Sequence, residues 1–182
     1  MLVAVVVSFS LLMVSPASSE DASIENVVIT RDGDLRISFE VANAFTGEVE
    51  EAIASGILTS LAFTIELHRK RRLWFDGAVA RRYFRHTVKY DTLREEYSLL
   101  REENGVESIV EKSLAVVQEA MTKVEGLQLI SMAELKRGKS YRITLQAERD
   151  GAHLPFPLNR LLFFYSLGRL KTEIHVEDFV YE

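Results

Sequence analysis

Four histidines, His68, His86, His153 and His175, are the residues of this chain best suited to acid–base or metal chemistry. None stands at a short metal spacing from another. The 182 residues include no cysteine, which removes thiolate ligands, thiol nucleophiles and disulfides together. Serine, histidine and aspartate all occur, yet no Gly-x-Ser-x-Gly elbow and no glycine-rich phosphate loop gathers them. The acid pairs Glu95-Glu96 and Glu102-Glu103 read as solvated edges, because neighbours on a strand alternate faces. Asp32-Gly33-Asp34 lacks the further acids of a calcium loop and reads as a plain turn. No catalytic residue, metal ligand or cofactor is therefore assigned, and the chain reads as non-enzymatic.

One constellation stands out by charge. Arg69, Lys70, Arg71 and Arg72 end one apolar run, and Arg81, Arg82 and Arg85 begin the next, with Trp74 between them. The net charge is −5, so an acidic chain gathers seven cations at one hairpin end. With Asp76-Gly77 as a tight turn, Arg71 falls opposite Arg82 and Arg72 opposite Arg81. Like charges so placed destabilise a sheet. Trp74 shares parity with Arg72, where a guanidinium stacks on an indole. Arg69, Arg71, Arg72, Trp74, Arg81, Arg82 and Arg85 thus form the candidate partner-binding set, suited to an acidic protein face, a lipid head group or a phosphate. The structural alternative is protection of a sheet edge, or ion pairs with Glu66 and nearby acids. A second candidate, Leu161-Leu162-Phe163-Phe164-Tyr165, reads as a helix sealing the core, or else as a docking patch.

The elements that position these residues follow from patterning. Hydrophobic residues make up 47% and charged residues 27%, the balance of one globular domain rather than a disordered chain. An acidic balance argues against nucleic acid. Residues 2–14 are apolar apart from two serines, and Pro16 and Ala17-Ser18-Ser19 follow, although no Lys or Arg precedes them. This predicts a signal peptide over residues 1–19, with an uncleaved inner-membrane anchor as the alternative, and a single domain over 20–182. The expected location is the periplasm.

Within the domain, Asp32-Gly33 predicts a hairpin pairing Ile24 with Val41 and Val28 with Ile37. Thr46 caps a short helix that Gly56 ends. The alternation of Leu61, Phe63, Ile65 and Leu67 predicts a long half-buried strand. Asp76-Gly77 sets Phe63 against Tyr90, Ile65 against Val88 and Leu67 against His86. A tight turn at Asp91-Thr92 sets Phe84 against Leu99, and Asn104-Gly105 sets Leu99 against Val110. Residues 57–112 thus form a four-stranded antiparallel meander. His68 and His86 point to opposite faces, so His86 is a satisfied core histidine beside Tyr97 and Leu67. Ser113 caps a second helix carrying Leu114, Val117, Met121 and Val124, stopped at Gly126. Strands at 127–130, 140–148 and 174–181 complete the pattern, with Leu154-Pro155-Phe156-Pro157 as a break and a short helix at 159–167. The fold class is mainly β: an antiparallel β-sandwich, immunoglobulin-like in one version, with two or three short helices.

Several stretches together resemble a known family. They are Asn43-Ala44-Phe45, Ile65-Glu66-Leu67, Leu73-Trp74-Phe75-Asp76, His86-Thr87-Val88-Lys89-Tyr90-Asp91-Thr92-Leu93, Glu96-Tyr97, Leu154-Pro155-Phe156 and Asp178-Phe179-Val180-Tyr181. In order and spacing they resemble a family of uncharacterised exported bacterial proteins, domain of unknown function 4390. The resemblance implies export and a single domain, and it carries over no catalytic or binding residue. It also implies an envelope signalling role, because such proteins are encoded beside a nitrogen-type sensor kinase and its regulator, an association rather than a chemistry. The expected function is an interaction module that modulates a membrane sensor kinase or another inner-membrane protein. The alternative is a binding module for an anionic lipid or small ligand.

Overall fold

The computed structural model describes residues 21–71, 77–150 and 170–182. The expected signal peptide at 1–19, Arg72, Trp74, the expected break at 154–157, the expected helix at 159–167 and the 161–165 apolar run lie outside the described residues. Among those described are nine strands and two α-helices: β1 (Ser23–Asp32), β2 (Asp34–Ala42), α1 (Gly47–Ala54), β3 (Thr59–Arg69), β4 (Gly77–Asp91), β5 (Glu96–Arg101), β6 (Glu107–Glu111), α2 (Leu114–Thr122), β7 (Lys123–Ser131), β8 (Lys139–Asp150) and β9 (His175–Tyr181). They make two antiparallel sheets, one of three strands ordered β1-β2-β7 and one of six ordered β6-β5-β4-β3-β8-β9. The fold is mainly β, as the alternation indicates, and β3 to β6 form the expected meander.

The apolar alternation of each central strand becomes the core. Leu35, Ile37 and Phe39 of β2 face Leu61, Phe63, Ile65 and Leu67 of β3, and Ile143 and Leu145 of β8 join them, all 3% exposed or less. At about 25 cal/mol per Å² of apolar area removed from water, this layer is the main source of stability. A three-stranded sheet is too narrow to cover six strands. Helix α2 packs on β4, β5 and β6 as well as on β2. Val49, Ala52 and Ile53 of α1 and Val117 and Met121 of α2 enter the core. Gln118 Nε2 donates to Glu50 Oε1 at 2.8 Å and ties the two helices.

Four registers differ from the sequence-based expectation, each for a local reason. In β1–β2, Ile24 pairs with Val41 as expected, but Ile29 rather than Val28 meets Ile37. Asn26, at φ 52°, forms a bulge that turns both Ile24 and Ile29 toward the core. In β3–β4, Phe63 pairs with Phe84 rather than Tyr90, Ile65 with Arg82 and Leu67 with Ala80. The shift is even, so faces are preserved, but the expected opposition of Arg71 to Arg82 and of Arg72 to Arg81 is gone. Glu66 now lies opposite Arg81, an ion pair at 3.2 Å, where the tight turn would have set arginine against arginine.

In β4–β5 the connection is Thr92–Glu95 rather than a two-residue turn, so Val88 and not Phe84 meets Leu99. Asp91 Oδ1 accepts the amides of Leu93 (2.9 Å) and Arg94 (3.1 Å), which fixes the longer turn. Leu99 then pairs with Ile109, one residue from the expected Val110. Glu95 closes the turn at φ 54°, a left-handed conformation that costs a residue with a Cβ about 1–2 kcal/mol. Glu95→Gly is therefore expected to raise stability by about 0.5 kcal/mol, the remainder being offset by the greater freedom of glycine in the unfolded chain. Urea denaturation checks this, and a destabilised variant would contradict it.

The second helix ends at Thr122, and β7 starts at once. Gly126 is not a helix stop. At φ 58° it forms a bulge against β2, its amide donating to Ser38 Oγ at 2.9 Å. Only with that extra residue do Val124 and Leu127 both face inward.

Outside the core, Asp178 of β9 accepts from Arg142 Nε (2.8 Å), Arg142 Nη2 (3.0 Å) and Lys70 Nζ (2.8 Å), tying β9 to β8 and to the end of β3. These donors hold its carboxyl well below the usual carboxylate range. A depressed carboxylate stabilises the fold above its unfolded value, near 3.8, and that contribution fades as pH falls toward the folded value. Asp178→Asn is expected to flatten the acid limb of a stability curve measured below about pH 5. Parallel limbs in the two proteins would contradict the clamp.

Candidate functional site

Strand β4 presents two different faces at its basic end, because successive side chains alternate. Arg81, Tyr83 and Arg85 occupy successive outward positions, facing away from the three-stranded sheet, and all three are exposed. Tyr83 is 53% exposed, high for an aromatic ring in the middle of a strand. Arg85 lies over its ring, 5.6 Å from the centroid, and Arg85 Nε donates to Tyr83 Oη at 3.0 Å. This ordered cation–aromatic pair costs less conformational entropy on binding than two free side chains. Arg81 is braced by Glu66, which also meets His68 Nε2 at 2.9 Å. The Arg85 amide donates to Glu102 Oε2 at 3.2 Å. Lys89, two outward positions beyond Arg85, continues the cationic row.

The remaining candidate residues do not join that row. Arg82 takes the opposite side of β4, and its Nη2 donates to the Glu103 carbonyl at 3.0 Å. Arg69 ends β3 half-buried, opposite Gly77 and Tyr141. The Arg71 guanidinium lies over Gly77, where an added Cβ would approach Nη2 to 3.0 Å. Of the five candidates among the described residues, the fold thus brings Arg81 and Arg85 together with Tyr83, a partner that sequence reasoning missed. The missed signal was parity: Arg81, Tyr83 and Arg85 alternate with the inward Phe84 and His86.

Behind this face lies a buried polar cluster, also missed. His86 is fully buried, as expected of a core histidine, but its neighbours are Leu61 and Arg101, not Leu67 and Tyr97. Glu103, read as a solvated edge, is 5% exposed. His86 Nε2 lies 2.9 Å from Glu103 Oε2, and Nδ1 lies 2.8 Å from the Met121 carbonyl in the last turn of α2. Arg101 Nη2 donates to Glu103 Oε1 and, at 3.2 Å, to the Lys123 carbonyl. Phe63 and Phe84 wall the imidazole, with ring centroids at 4.8 and 5.5 Å. Burial pushes His86 below its ordinary value, against the opposing pull of the Met121 carbonyl and Glu103. Burial works to raise Glu103, but its own amide, His86 and Arg101 prevail and hold it low. The cluster joins β4, the β5–β6 turn and the α2–β7 junction. No group of three or more potential metal ligands occurs among the described residues.

One family model, described as a domain of unknown function (DUF4390), matches residues 19–177. No curated protein matches the chain. No solved structure matches it either.

Proposed function

We propose that this chain, which belongs to the DUF4390 family, is an exported, non-enzymatic interaction module whose outer β4 face receives an anionic surface of an envelope protein. The partner class favoured is an inner-membrane sensor, whose activity the module adjusts by binding. The observation that supports this reading is the outward triplet Arg81, Tyr83 and Arg85, with Tyr83 half-exposed and already engaged by Arg85. Tyrosine and arginine are the residues that most often dominate binding energy, and a planar guanidinium meets a carboxylate through two parallel hydrogen bonds. The triplet lies on the exposed outward side of β4, a geometry suited to a broad partner rather than to a small substrate.

The candidate set narrows accordingly. Arg82 braces the Glu103 turn, so its reversal would disturb the fold as well as any partner. Reversal of Arg81 and Arg85 (R81E, R85E) is expected to weaken capture of the partner at least tenfold. Exposed ion pairs contribute about 0–1 kcal/mol, so the urea midpoint should shift only slightly. Undiminished capture would contradict the proposal. Salt-sensitive binding of the purified chain to phosphatidylglycerol vesicles, with no protein present, would favour the anionic-lipid alternative.

A further inference from the structure

Among the described residues the two sheets leave four edge strands, β1 and β7 in the smaller sheet and β6 and β9 in the larger. An edge presents unpaired N–H and C=O groups, and bulges, charges or short strands commonly blunt it. β1 is bulged at Asn26 and β7 at Gly126. β6 has only five residues, with Glu107 and Glu111 at its ends. β9 differs. It pairs with β8 in unbroken register, from His175 opposite Leu145 to Tyr181 opposite Lys139. Its outward positions carry β-branched apolar residues: Val176 is 47% exposed and Val180 51%, with Ile174, just before the strand, at 57%. The charges of β9 do not guard this edge. Asp178, the outward residue between the two valines, is held by Lys70 and Arg142 of its own chain. Glu177, on the inward side, lies 3.1 Å from His175 Nε2. A strand laid alongside therefore meets no bare charge.

We propose that β9 pairs antiparallel with β9 of a second copy of this chain, joining the two larger sheets into one. The strand's own pattern selects this occupant. Full overlap of its seven residues places the two-fold axis at the midpoint, Asp178, and sets Val176 of each copy opposite Val180 of the other. Such an axis stands perpendicular to the sheet, so the outward stripe of one copy continues into that of the other. Branched aliphatic pairs directly opposite each other stabilise a sheet. The two Asp178 carboxylates face each other, but each brings its own two cations, which offset the repulsion. On the inward side His175 falls opposite Tyr181, and Glu177 opposite Phe179. The outward β4 rows of the two copies then share one face, seven strand spacings or roughly 34 Å apart. The pairing stands apart from the partner-binding reading and survives its failure.

The test is sedimentation equilibrium of the full chain from about 1 to about 100 μM, the range suited to a single-strand interface at the small end of the specific class. The expected result is a mass that rises from monomer toward dimer. Lysine at both valines (V176K, V180K) should weaken association about tenfold or more, while V28K, on the smaller sheet, should leave it unchanged. All three positions are exposed, so these variants keep the fold. The chain has no cysteine, so disulfide trapping reads the register cleanly. Opposed residues in an antiparallel pair lie about 4.5–5.5 Å apart between Cα atoms, within disulfide reach. A mixture of V176C and V180C chains should oxidise to a covalent dimer far more readily than either chain alone. A mass that stays monomeric throughout, association indifferent to the two lysines, or trapping as efficient from V176C alone as from the mixture would each overturn the pairing.

Discussion

Replacing Glu103 with alanine is expected to lower the stability of the chain by about 3–5 kcal/mol, because removing one member of a buried charged cluster strands the others. Glu103 is 5% exposed, and its carboxylate meets both Arg101 and His86. Arg101 would keep its Lys123 carbonyl contact but lose the counter-charge that makes its burial tolerable. The turn from β5 to β6 would lose its buried anchor and keep only the Arg82 bond to the Glu103 carbonyl and the Arg85 amide bond to Glu102. Urea denaturation measures the effect as a lower midpoint at unchanged slope. A loss under about 1 kcal/mol would mean that water already satisfies the cluster. Glu103→Gln keeps the shape and removes the charge, and should fall between the two.

A loss of similar size, about 3–5 kcal/mol, is expected for Phe63→Ala. Phe63 has no exposed surface and lies where the two sheets meet. Its ring packs edge-on against Phe39 of β2, with centroids 5.8 Å apart, and stacks on Phe84 at 5.0 Å. It also covers one side of His86 at 4.8 Å. Truncation therefore opens a cavity in the main core and thins the wall of the polar cluster at once. Phe63→Leu keeps most of the volume and should cost about 1–1.5 kcal/mol. Equal losses for the two variants would show that the ring's edge and stacking contacts, rather than the filled volume, dominate at this position.

The fold class was legible because period-two alternation survives in the central strands. Phe63, Ile65 and Leu67 face the core whichever register β4 adopts, since an even slip preserves faces. Register itself was not legible. It depends on connection length, and Asp76-Gly77 and Asp91-Thr92 both resemble tight turns, whereas the last pairs are Arg69 with Gly77 and Asp91 with Glu96. The error at Asp91 hid the buried cluster, because sliding β5 by four residues replaces Tyr97 with Arg101 opposite His86. The second helix was overextended for a related reason. Val117, Met121 and Val124 recur at helical spacing, yet Val124 already belongs to a strand that the Gly126 bulge brings back into phase. The basic cluster was visible as composition. Its outward row, Arg81, Tyr83 and Arg85, follows from strand parity in either register, whereas the Arg82 brace on the Glu103 turn follows only from the true one.

The most direct test of the outer β4 face is photocrosslinking in living cells from position 83, with position 28 as control. Val28 is comparably exposed, at 58%, but sits on the other sheet. The proposal predicts one envelope-protein adduct from position 83 that is absent from position 28 and lost when Arg81 and Arg85 are reversed to glutamate. Adducts shared by both positions, or a position-83 adduct indifferent to the reversal, would contradict it.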